Sequence, residues 1–200
     1  MTTMETLGAR AKSAARPLQT ATTETKNQAL LKIADALREN CAYILSENEK
    51  DLEAGRKNGM APSLLDRLAL SEARVAGMAK GVSDVAKLPD PVGEVLSETT
   101  RPNGLKIQKV AVPLGVIAVI FEARPNVTSD AAALCLKSGN AVILRGGKEA
   151  IHSNTAITKV MRDALRETEL PEDCVQLVED TSRESSTALM RLNGYVDVLI

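Results

Sequence analysis

The sequence predicts an α/β protein, a parallel sheet preceded by an N-terminal helical segment and a β-hairpin arm. Three observations carry that expectation. Over the first ninety residues apolar positions recur at three- and four-residue steps, the period of a buried helix face. From Glu94 to Val112 apolar residues alternate in part around an Arg101-Pro102-Asn103-Gly104 turn. From Val116 onward short apolar runs alternate with longer amphipathic segments, the β-α-β-α-β-α-β order of a right-handed parallel sheet.

The helical part begins with Leu30, Ile33, Leu37, Cys41, Ile44 and Leu45 on one face from Thr25 onward, and Lys32, Asp35, Arg38 and Glu39 opposite. Asn58-Gly59 and Pro62 punctuate it, with Gly59 as a helix stop. Ser71-Glu72 opens a further helix that carries Val75, Met78, Ala79, Val82, Val85 and Ala86 until Pro89 and Pro91 end it. In the hairpin turn Pro102 presets φ and Asn103-Gly104 accepts positive φ.

Val116–Phe121 is a continuous apolar run, as expected of a strand covered on both faces. Ser129–Lys137 follows as a helix closed by Gly139-Asn140, then Ala141–Leu144 as a second strand and Glu149–Thr168 as a helix ending near Pro171. Cys174–Val178 is the third strand, Ser182–Leu192 a helix, and Val196–Ile200 the fourth strand. A strand that stops at its last apolar residue suggests part of a larger protein.

Composition excludes several functions. The 200 residues hold 25 Lys+Arg against 26 Asp+Glu, a net charge of −1, which argues against nucleic acid or an anionic membrane as main partner. Three aromatic residues (Tyr43, Phe121, Tyr195) are too few for a base-stacking platform, and one His with three scattered Cys does not make a usual zinc site. The first nineteen residues lack the apolar run of a secretory signal and make a poor transit peptide. No run reaches the roughly 20 residues needed to cross a bilayer, and Cys41, Cys135 and Cys174 form no paired spacing. A cytoplasmic, reducing setting is expected.

Ligands of open parallel sheets bind beyond the strands' carboxyl ends. Three loops qualify: Glu122–Thr128, Arg145–Glu149 and Glu179–Thr181. In the second, Gly146 and Gly147 allow close backbone approach, a helix N-terminus follows to favour an anion, and Arg145 and Lys148 add positive charge. Arg at a strand end suits a 2′-phosphate, hence NADP(H); a solvated surface turn is the other reading of the same residues. The G-x-G-x-x-G fingerprint is absent. In the first loop Arg124 could fork onto a phosphate or carboxylate, and the Asn126 carboxamide could donate to an oxyanion. Pro125-Asn126 as a helix cap or turn is the alternative.

The segment Val112–Thr128, with Pro113-Leu114-Gly115-Val116 leading to Phe121-Glu122-Ala123-Arg124-Pro125-Asn126, resembles the γ-glutamyl phosphate reductase (glutamate-5-semialdehyde dehydrogenase) family. So does Ala133–Gly147, with Ser138-Gly139-Asn140 and Leu144-Arg145-Gly146-Gly147, and the likeness covers essentially the whole chain. That family lies in the aldehyde dehydrogenase superfamily, whose pattern has Pro-x-Gly-Val before an Asn loop and Gly-Asn before the second strand.

The resemblance implies a Rossmann-like sheet of the aldehyde dehydrogenase type. It divides the chain into N-terminal helices (1–92), a hairpin or oligomerisation arm (93–112) and an incomplete NADPH-binding domain (113–200). It implies NADPH-dependent reduction of L-glutamyl 5-phosphate to glutamate 5-semialdehyde and phosphate in proline biosynthesis, through a Cys thioester. Asn126 then supplies the oxyanion hydrogen bond and Arg124 binds substrate. Arg145, where the superfamily often has Lys, lies near the adenosine ribose, with Gly146, Gly147 and Lys148 completing the cofactor loop. None of the three Cys matches the nucleophile, which is expected beyond Ile200, so these 200 residues alone should lack reductase activity. A homo-oligomer and a functional link to glutamate 5-kinase are further implied. The competing expectation is a non-catalytic dinucleotide-fold binding or oligomerisation module.

Overall fold

The computed structural model describes residues 2–200. The stretch that fails as a targeting signal forms helix α1 (Thr3–Gln19), opened by a reciprocal cap between Thr2 and Glu5. Helices α2 (Thr23–Glu39) and α3 (Cys41–Lys57) replace the single face expected from Leu30 to Leu45. The break falls at Asn40, whose side-chain amide donates to the Ala36 carbonyl at 2.9 Å, an Asn competing with the helix ladder. Pro62 is more than punctuation: it starts a short helix, α4 (Pro62–Leu68), where its missing N–H costs nothing. Helix α5 (Glu72–Lys87) begins as expected at Ser71, whose hydroxyl accepts the Arg74 N–H.

Strands β1 (Val95–Thr100) and β2 (Lys106–Val110) form a two-stranded antiparallel hairpin with every residue exposed. Its turn closes with the Gly104 N–H on the Arg101 carbonyl at 2.9 Å. Gly104 alone takes positive φ there (83°); Asn103 keeps negative φ and accepts the Leu105 N–H instead.

The sheet holds β3 (Val116–Ile120), β4 (Ala141–Arg145), β5 (Val175–Leu177) and β6 (Val198–Leu199), all parallel, in the order β5-β4-β3-β6. Helices α6 (Asn126–Lys137), α7 (Ile151–Leu165) and α8 (Arg183–Met190) connect them. Strand alternation sorts the core onto two faces. Ile117, Val119, Val142 and Leu144 join the larger cluster built by α2, α5, α6 and α7. Val116, Ala118, Ala141 and Ile143 meet Ala11 and Ala15 of α1 and Leu189 of α8. Alanines on both sides of that second interface let α1 lie close to the strands. β6 is fastened by Asp197, whose carboxylate accepts the Val116 N–H at 2.8 Å and pairs with Lys12. No helix of the described residues is long and apolar enough to cross a membrane.

One charged pair lies inside the helical layer. Lys26 of α2 is 1% exposed and its Nζ stands 2.5 Å from Asp90, just after α5. Asp90 also accepts from the Thr23 hydroxyl and the Val92 N–H. Beside it, buried Lys137 of α6 donates to Asn27 and to the Ala86 carbonyl. These contacts tie α2, the end of α5 and α6 together.

Candidate active site at the carboxyl rim of the sheet

The chain runs outward along β3, returns through α6, and enters β4 beside it, so the loops after β3 and β4 emerge at the same rim. The Phe121 N–H donates to the Arg145 carbonyl at 3.0 Å, extending the ladder one step into both loops. A Cβ on Gly147 would stand 3.2 Å from the Ala123 nitrogen, and one on Gly146 would meet the Asn154 amide at 2.1 Å. Both glycines are therefore close-packed, Gly146 against Asn154 and Phe121 and Gly147 against the Ala123 backbone of the other bend. The Arg124-Pro125-Asn126 bend and the Gly146-Gly147-Lys148 bend stand side by side. Strand order reverses between β3 and β6, so the first of these bends also opens at the switch point where ligands of such sheets bind.

The helix N-terminus expected to attract an anion is partly occupied by a residue of the chain itself. After Gly147 comes a 3-10 turn, Lys148–Ala150, and α7 starts only at Ile151. Asp51 of α3, 2% exposed, accepts the His152 N–H at 3.2 Å, the Ser153 N–H at 2.8 Å and the Ser153 hydroxyl at 2.6 Å. Burial pushes the Asp51 carboxyl above its ordinary value, against the pull of these hydrogen bonds. Two amides of this first turn are thus satisfied from inside the protein rather than left for a ligand. Nothing local in the sequence announces Asp51, because its partners lie about a hundred residues away.

Arg145 turns its guanidinium along the rim rather than outward. It donates to the carbonyls of Gly146 (3.2 Å), Thr181 (3.0 Å) and Ser182 (3.2 Å), holding the loop that starts α8 against the end of β4. Its Nε is buried without a partner. Lys148 is exposed, and among the described residues its ammonium enters no ion pair. Asn154 of α7 is fully buried and accepts from the Thr128 hydroxyl, bracing the glycine loop from behind.

Asn126 is the first residue of α6, with Pro125 at the cap position, so it belongs to the helix start and not to the loop. Its carboxamide is exposed at the mouth of the sheet and donates one hydrogen bond to Asp130, one turn along, at 3.0 Å. An Asn amide has a second N–H. Burial pushes the Asp130 carboxyl up, opposed by the Asn126 hydrogen bond. Asn126, Asp130 and Arg124 share a cavity of about 440 Å³ with Arg67 of α4 and Arg74 of α5. Sequence reasoning missed Arg67 and Arg74, which reach the site only through the packing of α5 onto α6 and of α4 onto α3.

The cysteines behave as small hydrophobes. Cys135 and Cys174 are buried, and burial pushes both thiols up to about 12, helped at Cys174 by the Asp173 charge. Burial also raises Cys41. None is the lowered-pKa thiol that nucleophilic chemistry requires.

The chain matches the model of the aldehyde dehydrogenase family over residues 2–198. The chain belongs to the aldehyde dehydrogenase family. Within that family it is similar to the γ-glutamyl phosphate reductase of Carboxydothermus hydrogenoformans, at 59% identity over 194 residues, 97% of this chain and 47% of that protein. The crystal structure of a γ-glutamyl phosphate reductase from Thermotoga maritima superposes with a TM-score of 0.96 at 43% identity, covering 98% of this chain and 47% of the other. A probable aldehyde dehydrogenase from Listeria monocytogenes shares the fold at 15% identity, with a TM-score of 0.76 and coverage of 98% and 40%. The chain thus spans about half the length of the curated relatives it matches. As an aldehyde dehydrogenase family member it has the α/β fold read from its sequence, with the helical start, the separate hairpin and the parallel sheet.

Proposed function

We propose that these residues form the cofactor- and substrate-orienting part of a cytoplasmic γ-glutamyl phosphate reductase. Such an enzyme reduces L-glutamyl 5-phosphate to glutamate 5-semialdehyde with release of phosphate in proline biosynthesis, consuming the product of a glutamate 5-kinase. The observation that carries this reading is the contact between the two bends, Phe121 on Arg145 and Gly147 on Ala123, at one rim. The family's cofactor class is the nicotinamide dinucleotides. In this reading NADPH, when bound, supplies the hydride.

The residues of the β4 loop fit such a cofactor. Gly147 leaves backbone partly open at the rim while Gly146 lies buried beneath it, and Lys148 offers a cation near the strand end where a ribose 2′-phosphate would need one. Arg145, with three carbonyls on its guanidinium, acts in this reading by fixing the loop and by adding positive charge from behind. Asn126 donates its second N–H to the oxyanion that develops on the acyl oxygen, and Arg124 holds the anionic end of the substrate. The thiol that attacks the acyl carbon is supplied from outside these 200 residues.

The test is an assay of the full-length protein with glutamate semialdehyde, phosphate and NADP in the reverse direction, for which phosphate-dependent NADPH formation is expected. Absence of that activity would remove the assignment. Within it, Lys148→Glu should weaken NADPH binding by about tenfold or more, the scale of one charge-assisted contact, and change NADH binding little. Fluorescence titration of both cofactors checks this; equal losses for the two would move the 2′-phosphate elsewhere.

The hairpin supports a second, compatible role as an oligomerisation arm. Val95, Leu96, Leu105, Ile107, Val110 and Val112 are all exposed on it, an apolar surface that a solvated ribbon does not need. Leu96→Glu combined with Ile107→Glu is expected to lower the oligomeric mass of the full-length protein in light scattering. An unchanged mass would leave the arm without that role.

A further inference from the structure

We infer that Arg67 and Arg124 form one anion seat in the substrate cleft, and that Glu122 holds this seat closed until an anionic group of the substrate replaces it. The inference rests on the proposed reductase reading and adds to it a recognition residue, Arg67, and an exchangeable internal counter-ion.

The geometry converges on a single atom. Arg67 Nη1 from α4 donates to Glu122 Oε1 at 3.3 Å, and Arg124 Nε from the β3–α6 loop stands 3.5 Å from the same oxygen. Two guanidinium groups from separate elements therefore point at one carboxylate position. Forked guanidinium groups match carboxylate and phosphate oxygens alike. Both arginines line the 440 Å³ cavity that also contains Asn126.

The three arginines of this cavity differ in how firmly they are held. Arg74 is committed: it donates to the Asp66 and Ala69 carbonyls and pairs with the Asp66 carboxylate, so it contributes fixed charge only. Arg67 and Arg124 have Glu122 as their shared acidic partner, and all three side chains are about half exposed or more (46%, 45% and 65%). Ion pairs that open to water contribute little, so a ligand that brings two or three oxygens of its own displaces Glu122 easily. The tight turn in which the Arg124 N–H donates to the Glu122 carbonyl keeps the backbone in place while the carboxylate leaves. Asn126 lies two residues beyond Arg124 along the same rim, so an anion seated here tethers a short substrate beside the carboxamide.

The ligand chemistry is an oxyanion, a carboxylate or a phosphate, and the two sources are separable. The experiment is phenylglyoxal modification of Arg67 and Arg124 in the full-length protein, read by peptide mass spectrometry, with inorganic phosphate or glutarate as protecting probe. Protection of both arginines by one probe is expected. Phosphate alone assigns the seat to the acyl-phosphate end, glutarate alone to the carboxylate end, and protection by both to oxyanions in general. Glu122→Gln should lower the half-protecting concentration about three- to tenfold, because the competing carboxylate is gone, and Arg67→Gln should abolish protection of Arg124. No protection by either probe, or an unchanged half-protecting concentration in Glu122→Gln, overturns the seat. Protection in a protein without phosphate-dependent reduction would instead retain the seat and discard the reductase reading.

Discussion

Replacing Asn126 by Ala in the full-length protein is expected to lower kcat by about 10²–10³, the usual cost of one oxyanion donor. NADPH affinity should stay within a factor of two or so, since the side chain lies at the start of α6 and not in the glycine loop. Under the proposed reading the effect should be large. The amide is held by Asp130 on one N–H, so the second is aimed without a search among rotamers. Asn126→Asp should be as damaging, because it replaces the donor with an acceptor and sets two carboxyl groups against each other. Single-turnover measurements with NADPH separate the chemical step from binding. A fall in kcat below about fivefold would mean that the oxyanion finds its donor in another group, leaving Asn126 as the start of a helix.

Asp90→Ala is expected to destabilise the fold by about 3–5 kcal/mol, the cost of leaving a buried ion without its partner. Lys26 is 1% exposed and cannot turn to water, and the Thr23 hydroxyl and Val92 N–H lose their acceptor as well. Replacing the pair together, Lys26→Met with Asp90→Leu, should cost less than the single change, because no charge is then stranded. Urea denaturation of the three variants tests this ordering. The pH dependence has a definite sign. Burial pushes the Asp90 carboxyl up, but the hydrogen bonds from Lys26, Thr23 and Val92 outweigh it and the net shift is downward from 3.8. A depressed carboxyl stabilises the folded state above its unfolded value and loses that contribution as pH falls through the folded one. Acid titration of wild type should therefore show this loss below pH 3.8, and Asp90→Ala should lack it.

How much of this could be read in advance depended on the range of the interactions. The strands were legible because Val116–Ile120 and Ala141–Leu144 are apolar without interruption, which only a sheet covered on both faces requires. Caps were legible where the partner is three residues away, as at Ser71 and Ser182. The break at Asn40 was not, because the apolar period of Leu37 and Ile44 continues across it and hides a side-chain bond to Ala36. At the rim, the motif residues Arg124, Asn126, Gly146 and Gly147 do come together. The direction of Arg145 could not be foreseen, since its acceptors are carbonyls 36 and 37 residues further on. Arg67 was invisible for the same reason: an arginine on a seven-residue helix looks like solvated surface until α4 is laid beside the β3–α6 bend.

The carboxylate of Asp51 has a wider consequence for how a dinucleotide can approach this sheet. In folds that grip a pyrophosphate, glycines thin the chain so that the diphosphate can sit on exposed amides at the start of a helix. Here a resident negative charge occupies the corresponding berth behind β4 and repels any visitor of like sign. The missing glycine fingerprint and the internal acid are then two aspects of one arrangement: under the proposed reading, the cofactor lays its phosphates elsewhere along the rim.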